Sequence, residues 1–255
     1  MTERPPKIAL FVTCLVDLMR PSVGFAAMRL LERAGAEVVV PKKQTCCGQP
    51  AYNSGDEADA RAIAQQVIDV FEGYDTVVVP SGSCGGMIKE HYPKLFADDP
   101  AWKTRAQTLA ARTQELTQYL AENLDLNDVS ATVNGTVTYH DSCAGMRELG
   151  IKDQPRKLLA TVDGLELKEM DDTESCCGFG GLFSIKYPDV SGAIVDKKAD
   201  NVEAQKTDML SGGDLGCLMN VAGKLKRRGS NVRVYHIAEI LAGMTDQPGV
   251  GDAET

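Results

Sequence analysis

The chain has 255 residues, of which 43% are hydrophobic and 25% charged, and a formal net charge of −9. This composition suits a globular protein with room for one large domain or two small ones. The acidic balance excludes broad nucleic-acid binding, which needs a dense basic surface, and no apolar run approaches the ~18 residues that would span a bilayer. The first residues show no apolar stretch of signal-peptide length, so a cytoplasmic, reducing location is expected. Cysteines in such surroundings serve as metal ligands or catalysts more often than as disulfides.

Taken in chain order, residues 7–13 form a short, nearly continuous apolar run that ends at Cys14. Val23, Ala27, Leu30, Leu31 and Ala34 then recur at helical spacing until Gly35 stops them. Residues 37–40 are β-branched and lead to the Cys46–Cys47–Gly48 turn. A second helical pattern covers 56–72, and a buried-strand run over 75–79 leads to Cys84. Residues 100–123 carry Trp102, Ala106, Leu109, Thr113, Leu116 and Leu120 in alternating steps of four and three, which predicts one long amphipathic helix.

The second half repeats the scheme. Strand-like runs over 136–140 and 165–170 lead to Cys143 and to Cys176–Cys177–Gly178. Helical patterns cover 155–162 and 189–205, and a further strand over 207–210 approaches Cys217. A last strand over 232–235 and a last helix over 237–242 complete the pattern. The expected organisation is an N-terminal repeat over 1–125, a linker over 126–135, a C-terminal repeat over 136–244 and a flexible tail over 245–255. Each repeat reads as a Rossmann-like α/β unit, a mainly parallel sheet flanked by helices, and the two are expected to be pseudo-symmetric.

All eight cysteines fall into two quartets, Cys14/Cys46/Cys47/Cys84 and Cys143/Cys176/Cys177/Cys217. From single cysteine to pair takes 32 residues, then 33; from pair to last cysteine takes 37, then 40. Ligands of open α/β sheets bind beyond the carboxyl ends of strands, so each quartet can converge on one point. Four thiolates are the ligand set of one [4Fe–4S] cluster, and also of a structural zinc ion at one site or both. Glycines crowd the thiols, notably Gly48, Gly85, Gly178 and Gly180, and would let backbone N–H groups approach cluster sulfurs. Phe179, Leu182 and Phe183 are placed to shield the second site from water. His140 is a candidate partner of that site, and Lys42, Lys43, Arg147 and Lys186 are nearby cations.

The segments around Cys14, Cys46–Cys47–Gly48–Gln49–Pro50, Cys84, Tyr139–His140–Asp141–Ser142–Cys143, Cys176–Cys177–Gly178, Cys217 and His236 extend over nearly the whole chain. Together they resemble the cysteine-rich CCG family found in heterodisulfide reductases, glycolate oxidase iron–sulfur subunits and lactate utilization proteins. The resemblance implies an iron–sulfur electron-transfer subunit of a multi-protein system oxidising L-lactate to pyruvate. It also implies other iron–sulfur and accessory subunits as partners and no catalysis by this chain alone. Where the heterodisulfide reductase member of the family has a fifth thiol per repeat, this chain has Met87 and Asn220, which favours four-thiolate sites over a non-cubane cluster. Ala144 stands where members of the family often carry His. Two other readings stay open: a structural zinc-binding scaffold, and a stand-alone 2-hydroxy-acid or disulfide reductase with an open-iron cluster.

Overall fold

The computed structural model describes residues 5–124, 126 and 128–252. The first repeat runs β1 (Lys7–Leu10), α1 (Cys14–Met19), α2 (Pro21–Arg33), β2 (Glu37–Val39), α3 (Gln49–Asn53), α4 (Glu57–Phe71), β3 (Thr76–Val79) and α5 (Gly82–Gly86). A π-helical turn at Met87–His91 leads to α6 (Tyr92–Leu95), α7 (Pro100–Arg112), β4 (Thr113–Glu115) and α8 (Leu116–Glu122). Strand order is β2-β1-β3-β4, and every neighbouring pair is parallel. Ile8, Ala9, Leu10 and Val77–Val79 are fully buried, as continuous apolar strands covered on both faces must be.

The second repeat has the same plan. It runs β5 (Thr132–His140), α9 (Cys143–Leu149), α10 (Asp153–Leu159), β6 (Asp163–Leu167), α11 (Phe183–Lys186), α12 (Pro188–Ala204), β7 (Met209–Gly212), α13 (Leu215–Arg227), β8 (Arg233–His236) and α14 (Ile237–Leu241). Its order, β6-β5-β7-β8, reproduces that of the first sheet, again all parallel. The molecule is thus α/β, built of two Rossmann-like repeats.

The single helix expected over 100–123 is two helices separated by a strand. Thr113–Glu115 fill the free edge of β3, with Val77 opposite Thr113. The buried Glu115 side chain then accepts the Thr117 N–H at 2.7 Å and starts α8. The apolar stripe is present, but its halves face different cores: Ala106 and Leu109 pack with Phe11 and Phe71, whereas Leu116 and Leu120 pack with Leu10 and Leu30.

Two boundaries also differ. Strand β5 begins at Thr132, so the last four residues of the polar stretch 126–135 belong to the sheet; Asp125 and Asn127 lie outside the described residues. The tail expected to fray from Thr245 is fastened instead: Val250 N–H donates to Val234 O at 2.7 Å, and Tyr235 Oη donates to Gln247 O at 2.8 Å. Residues 253–255 of that tail lie outside the described residues.

The repeats share one apolar core, in which Ile8, Leu30 and Leu116 join Val137, Leu210 and Tyr235. They also meet where α5 packs on α9. A Cβ on Gly82 would stand 2.8 Å from Gly145 Cα, closer than real carbons approach, so this crossing requires glycine. Beside it Arg20 Nε pairs with the fully buried Glu239 at 2.9 Å, and Ser22 Oγ donates to the same carboxylate oxygen at 2.7 Å. Glu239 also accepts the His236 N–H, while His236 Nδ1 accepts the Ala238 N–H, a reciprocal cap on α14.

His236 is fully buried, and that burial lowers its pKa from 6.5 to about 4. The unfolded chain therefore takes the proton first. The stabilisation is complete above pH 6.5 and is lost as pH falls through 4, amounting to about 3 kcal/mol at 1.36 kcal/mol per unit. Urea unfolding at pH 7, 6, 5 and 4 should show this loss. His236→Asn, which keeps an acceptor at the cap, should flatten it.

Candidate metal centres

Three successive strands of the first sheet end beside thiols. Cys14 opens α1 after β1, Cys46 and Cys47 form the turn between β2 and α3, and Cys84 lies in α5 after β3. All four line one cavity of about 390 Å³. Gly48 closes the CCG turn at φ 84° and directs its N–H at Cys46 Sγ, 3.4 Å away. The buried Tyr92 anchors the turn from below, donating its Oη hydrogen to Cys47 O at 2.8 Å. Ser81 caps α5 by accepting the Cys84 N–H at 3.2 Å.

The thiols are close enough to share protons. Hydrogen bonds from Cys14 and then Cys47 lower the pKa of Cys46 to about 3. The same contacts, with burial, raise the pKa values of Cys14 and Cys47. Thiols this close repel one another when ionised, and a bound cation would offset that repulsion.

The second quartet repeats this geometry with a difference in exposure. Cys143 opens α9 after β5, Cys176 and Cys177 lie on the turn after β6, and Cys217 is in α13 after β7. Gly178, at φ 80°, directs its N–H at Cys176 Sγ (3.3 Å), and the Phe179 N–H meets Cys177 Sγ at 3.5 Å. Asn220 Nδ2 donates to Cys177 O at 2.8 Å, doing here what Tyr92 does in the first repeat. Cys177 and Cys217 are buried, whereas Cys143 and Cys176 are exposed.

His140 joins this second group. One of its ring nitrogens and the sulfurs of Cys177 and Cys217 lie within 4.8 Å of one another, all three residues buried. Among the described residues, neither ring nitrogen has a hydrogen-bond partner. Burial first, and the charge of Lys198 second, lower the His140 pKa to about 3, leaving a neutral imidazole with a free lone pair. A buried polar group without a partner calls for one, and a metal or cluster next to two thiols supplies it. The eight cysteines form no disulfides, and both donor sets suit a metal ion or an iron–sulfur cluster.

Other expected residues take different places. Phe179 and Leu182 line the first cavity, where Ile185 joins them, and the Phe179 ring also lies against Gly216 beside Cys217; Phe183 packs at a tilt on Tyr187 with ring centroids 5.6 Å apart. The loop after the second CCG turn is thus a wall of the first site. Gly85 N–H is committed to Ser81 O at 3.0 Å, and its bare Cα admits Leu149 of α9. Gly180, at φ 53°, turns the loop back so that Phe183 packs over it. Lys42, Lys43, Arg147 and Lys186 are not among the buried charges.

Two buried charges near the thiols escape sequence reasoning. Asp214, which precedes the helix carrying Cys217, accepts the Ser83 N–H (2.8 Å) and the Ser81 hydroxyl (3.3 Å) at the start of the helix carrying Cys84. Lys198 of α12 is fully buried, with Nζ turned to the loop before Cys176. Asp before a helix and Lys inside one are ordinary surface signals, so only their burial marks them.

The family model described as a cysteine-rich domain, CCG, matches residues 8–89 and 137–222. Lactate utilization protein A of Geobacillus kaustophilus is 49% identical, over 92% of this chain and 98% of that protein. The protein of the same name from Exiguobacterium sp. is also 49% identical, over 92% of this chain and 97% of its own. A crystal structure of a hypothetical protein from Helicobacter pylori superposes with a TM-score of 0.65 at 13% identity, covering 98% of this chain. This chain spans about half (51%) of that one, and the likeness shows the fold.

The two CCG turns differ in tolerance. A Cβ on Gly178 would stand 2.8 Å from the Ser191 backbone oxygen, whereas on Gly48 its nearest neighbour would be the Ile63 side chain at 3.3 Å. Both positions have positive φ, costing roughly 1–2 kcal/mol for alanine. Overpacking adds about 1–3 kcal/mol more at Gly178 alone. Thermal unfolding should therefore rank Gly178→Ala well below Gly48→Ala.

Proposed function

This chain belongs to the cysteine-rich CCG family, and from that premise we propose that it is an iron–sulfur electron-transfer subunit of a multi-protein system that oxidises L-lactate to pyruvate. The observation that carries the reading is the convergence of Cys14, Cys46, Cys47 and Cys84 on one cavity, with Cys143, Cys176, Cys177 and Cys217 at the matching strand ends of the second repeat. Bound there, [4Fe–4S] clusters supply one-electron redox chemistry. The chain's part is to hold them: thiolates ligate, the Gly48, Gly178 and Phe179 N–H groups meet sulfur, and Phe179, Leu182 and Ile185 wall the first site from water. The lactate assignment follows the names of the relatives.

Among the described residues, no acid–base pair suited to abstracting hydrogen from a 2-hydroxy acid lines the first cavity; its lining is thiol, hydroxyl, amide and apolar apart from the capped Asp214. In this reading substrate oxidation falls to partner subunits, iron–sulfur and accessory, with this chain passing electrons in the cytoplasm. One observation favours a second reading for the C-terminal site alone: His140 with Cys177 and Cys217 is also a donor set for zinc.

Anaerobic purification followed by iron, acid-labile sulfide and zinc analysis tests both. Iron and sulfide at about four each per occupied site are expected for [4Fe–4S]; zinc without sulfide overturns the redox reading. Cys177→Ser should cut iron at the second site and spare the first. Lactate oxidation with an artificial acceptor should appear only after partner proteins are added; turnover by this chain alone would transfer catalysis to it.

A further inference from the structure

The two quartets match in thiols but not in what lies behind them. Three residues before the first cysteine stands His140 in one repeat and Phe11 in the other. The buried positions of α12 and α4 match in spacing, which sets Lys198 in one repeat against Val67 in the other. All four side chains are buried, Lys198 completely. The first site thus rests on hydrocarbon and the second on an imidazole and an amine.

Lys198 is held as an ammonium. Its Nζ reaches Asp172 O at 2.7 Å, Thr173 O at 3.1 Å and Met170 Sδ at 3.7 Å. Those are three acceptors for three N–H donors; a neutral amine would turn its lone pair at one of them. Burial lowers the Lys198 pKa, against which the charges of Asp172, Cys177, Asp141 and Cys176 act to keep the proton. The negative charge of the buried Asp141 is answered by a two-pronged pair with Arg156 at 2.9 Å, and Asp172 is exposed to solvent. Lys198 thus places a buried cation against the loop that leads into the second thiol pair, with Asp172 and the buried Asp214 as the carboxylates that act against it.

Resting on the iron–sulfur reading above, we propose that Lys198 is a positioning and charge-compensating residue that makes the C-terminal centre the more readily reduced of the two. Adding an electron to a thiolate-held cluster adds negative charge, and a fixed cation in a low-dielectric interior lowers the cost of that step. The N-terminal centre, backed by Phe11 and Val67, has no such cation at the matching positions. One electron shared between the centres leaves the N-terminal centre oxidised and the C-terminal centre reduced, with no bond made and no proton moved. The donor to the pair is a one-electron iron–sulfur protein. The centres are neighbours: Phe179 meets Cys177 Sγ with its N–H and lines the cavity of the first quartet.

The test is an EPR-monitored redox titration of the anaerobically purified full chain, with iron and sulfide measured on each sample. The native protein should give two midpoint potentials, and Cys177→Ser should abolish the higher. Loss of the lower one instead overturns the proposal. Lys198→Met and Lys198→Gln should reduce the ratio of reduced to oxidised C-terminal centre, at fixed solution potential, by about tenfold or more. The N-terminal midpoint should stay unchanged in both. An unshifted higher midpoint in either variant with full iron content overturns the assignment while leaving the iron–sulfur reading intact. If Lys198→Met fails to load iron, Lys198→Gln and the Cys177→Ser arm decide. Native protein lacking iron or sulfide at the second site defeats both the proposal and the reading beneath it.

Discussion

The structure depends on how closely the two repeats approach at Gly82 and Gly145. A Cβ on Gly82 would fall 2.8 Å from Gly145 Cα, so α5 and α9 cross at that distance only with a bare Cα at Gly82. Because they do, the helix bearing Cys84 and the helix opened by Cys143 pack against each other, and Asp214 of the second repeat reaches the start of α5. The buried Arg20–Glu239 pair performs the corresponding task beside β8, locking α14 to the chain that follows α1. Breaking either partner would leave a buried charge alone, so the register between repeats is strongly specified.

Much of this is legible in the chain. The parallel strands stand out as unbroken apolar runs, and the cysteine rhythm places one ligand element after each of three strands per repeat. What escapes is non-local. Thr113, Gln114 and Glu115 sit inside a helical stripe and become a strand only because β3 has a free edge; neither propensity nor spacing encodes that edge. The second repeat's matching strand, β8, is readable because Val234 and Tyr235 supply β-formers. The fastened tail escapes for a related reason: Val234, Tyr235 and Lys226 hold it by its backbone groups, which side-chain patterning of the tail does not show.

The sites show the same division. Candidate ligands are a matter of residue type, so all eight thiols can be named from the sequence. The surroundings depend on which side chains the fold buries, and there a lysine that reads as surface becomes a buried cation. Likewise, aromatic and apolar residues that follow the second CCG turn in sequence belong spatially to the first site.

That crossed wall has a consequence for how such a protein arises. Phe179, Leu182 and Ile185 close a cavity whose thiols all come from the other half of the chain. A single repeat would therefore leave that site without its cover and would need a second copy to supply it. Joining two copies in one chain fixes the pairing and frees the halves to diverge. One half then retains the covering loop and a buried charge, while the other retains the sheltered thiols.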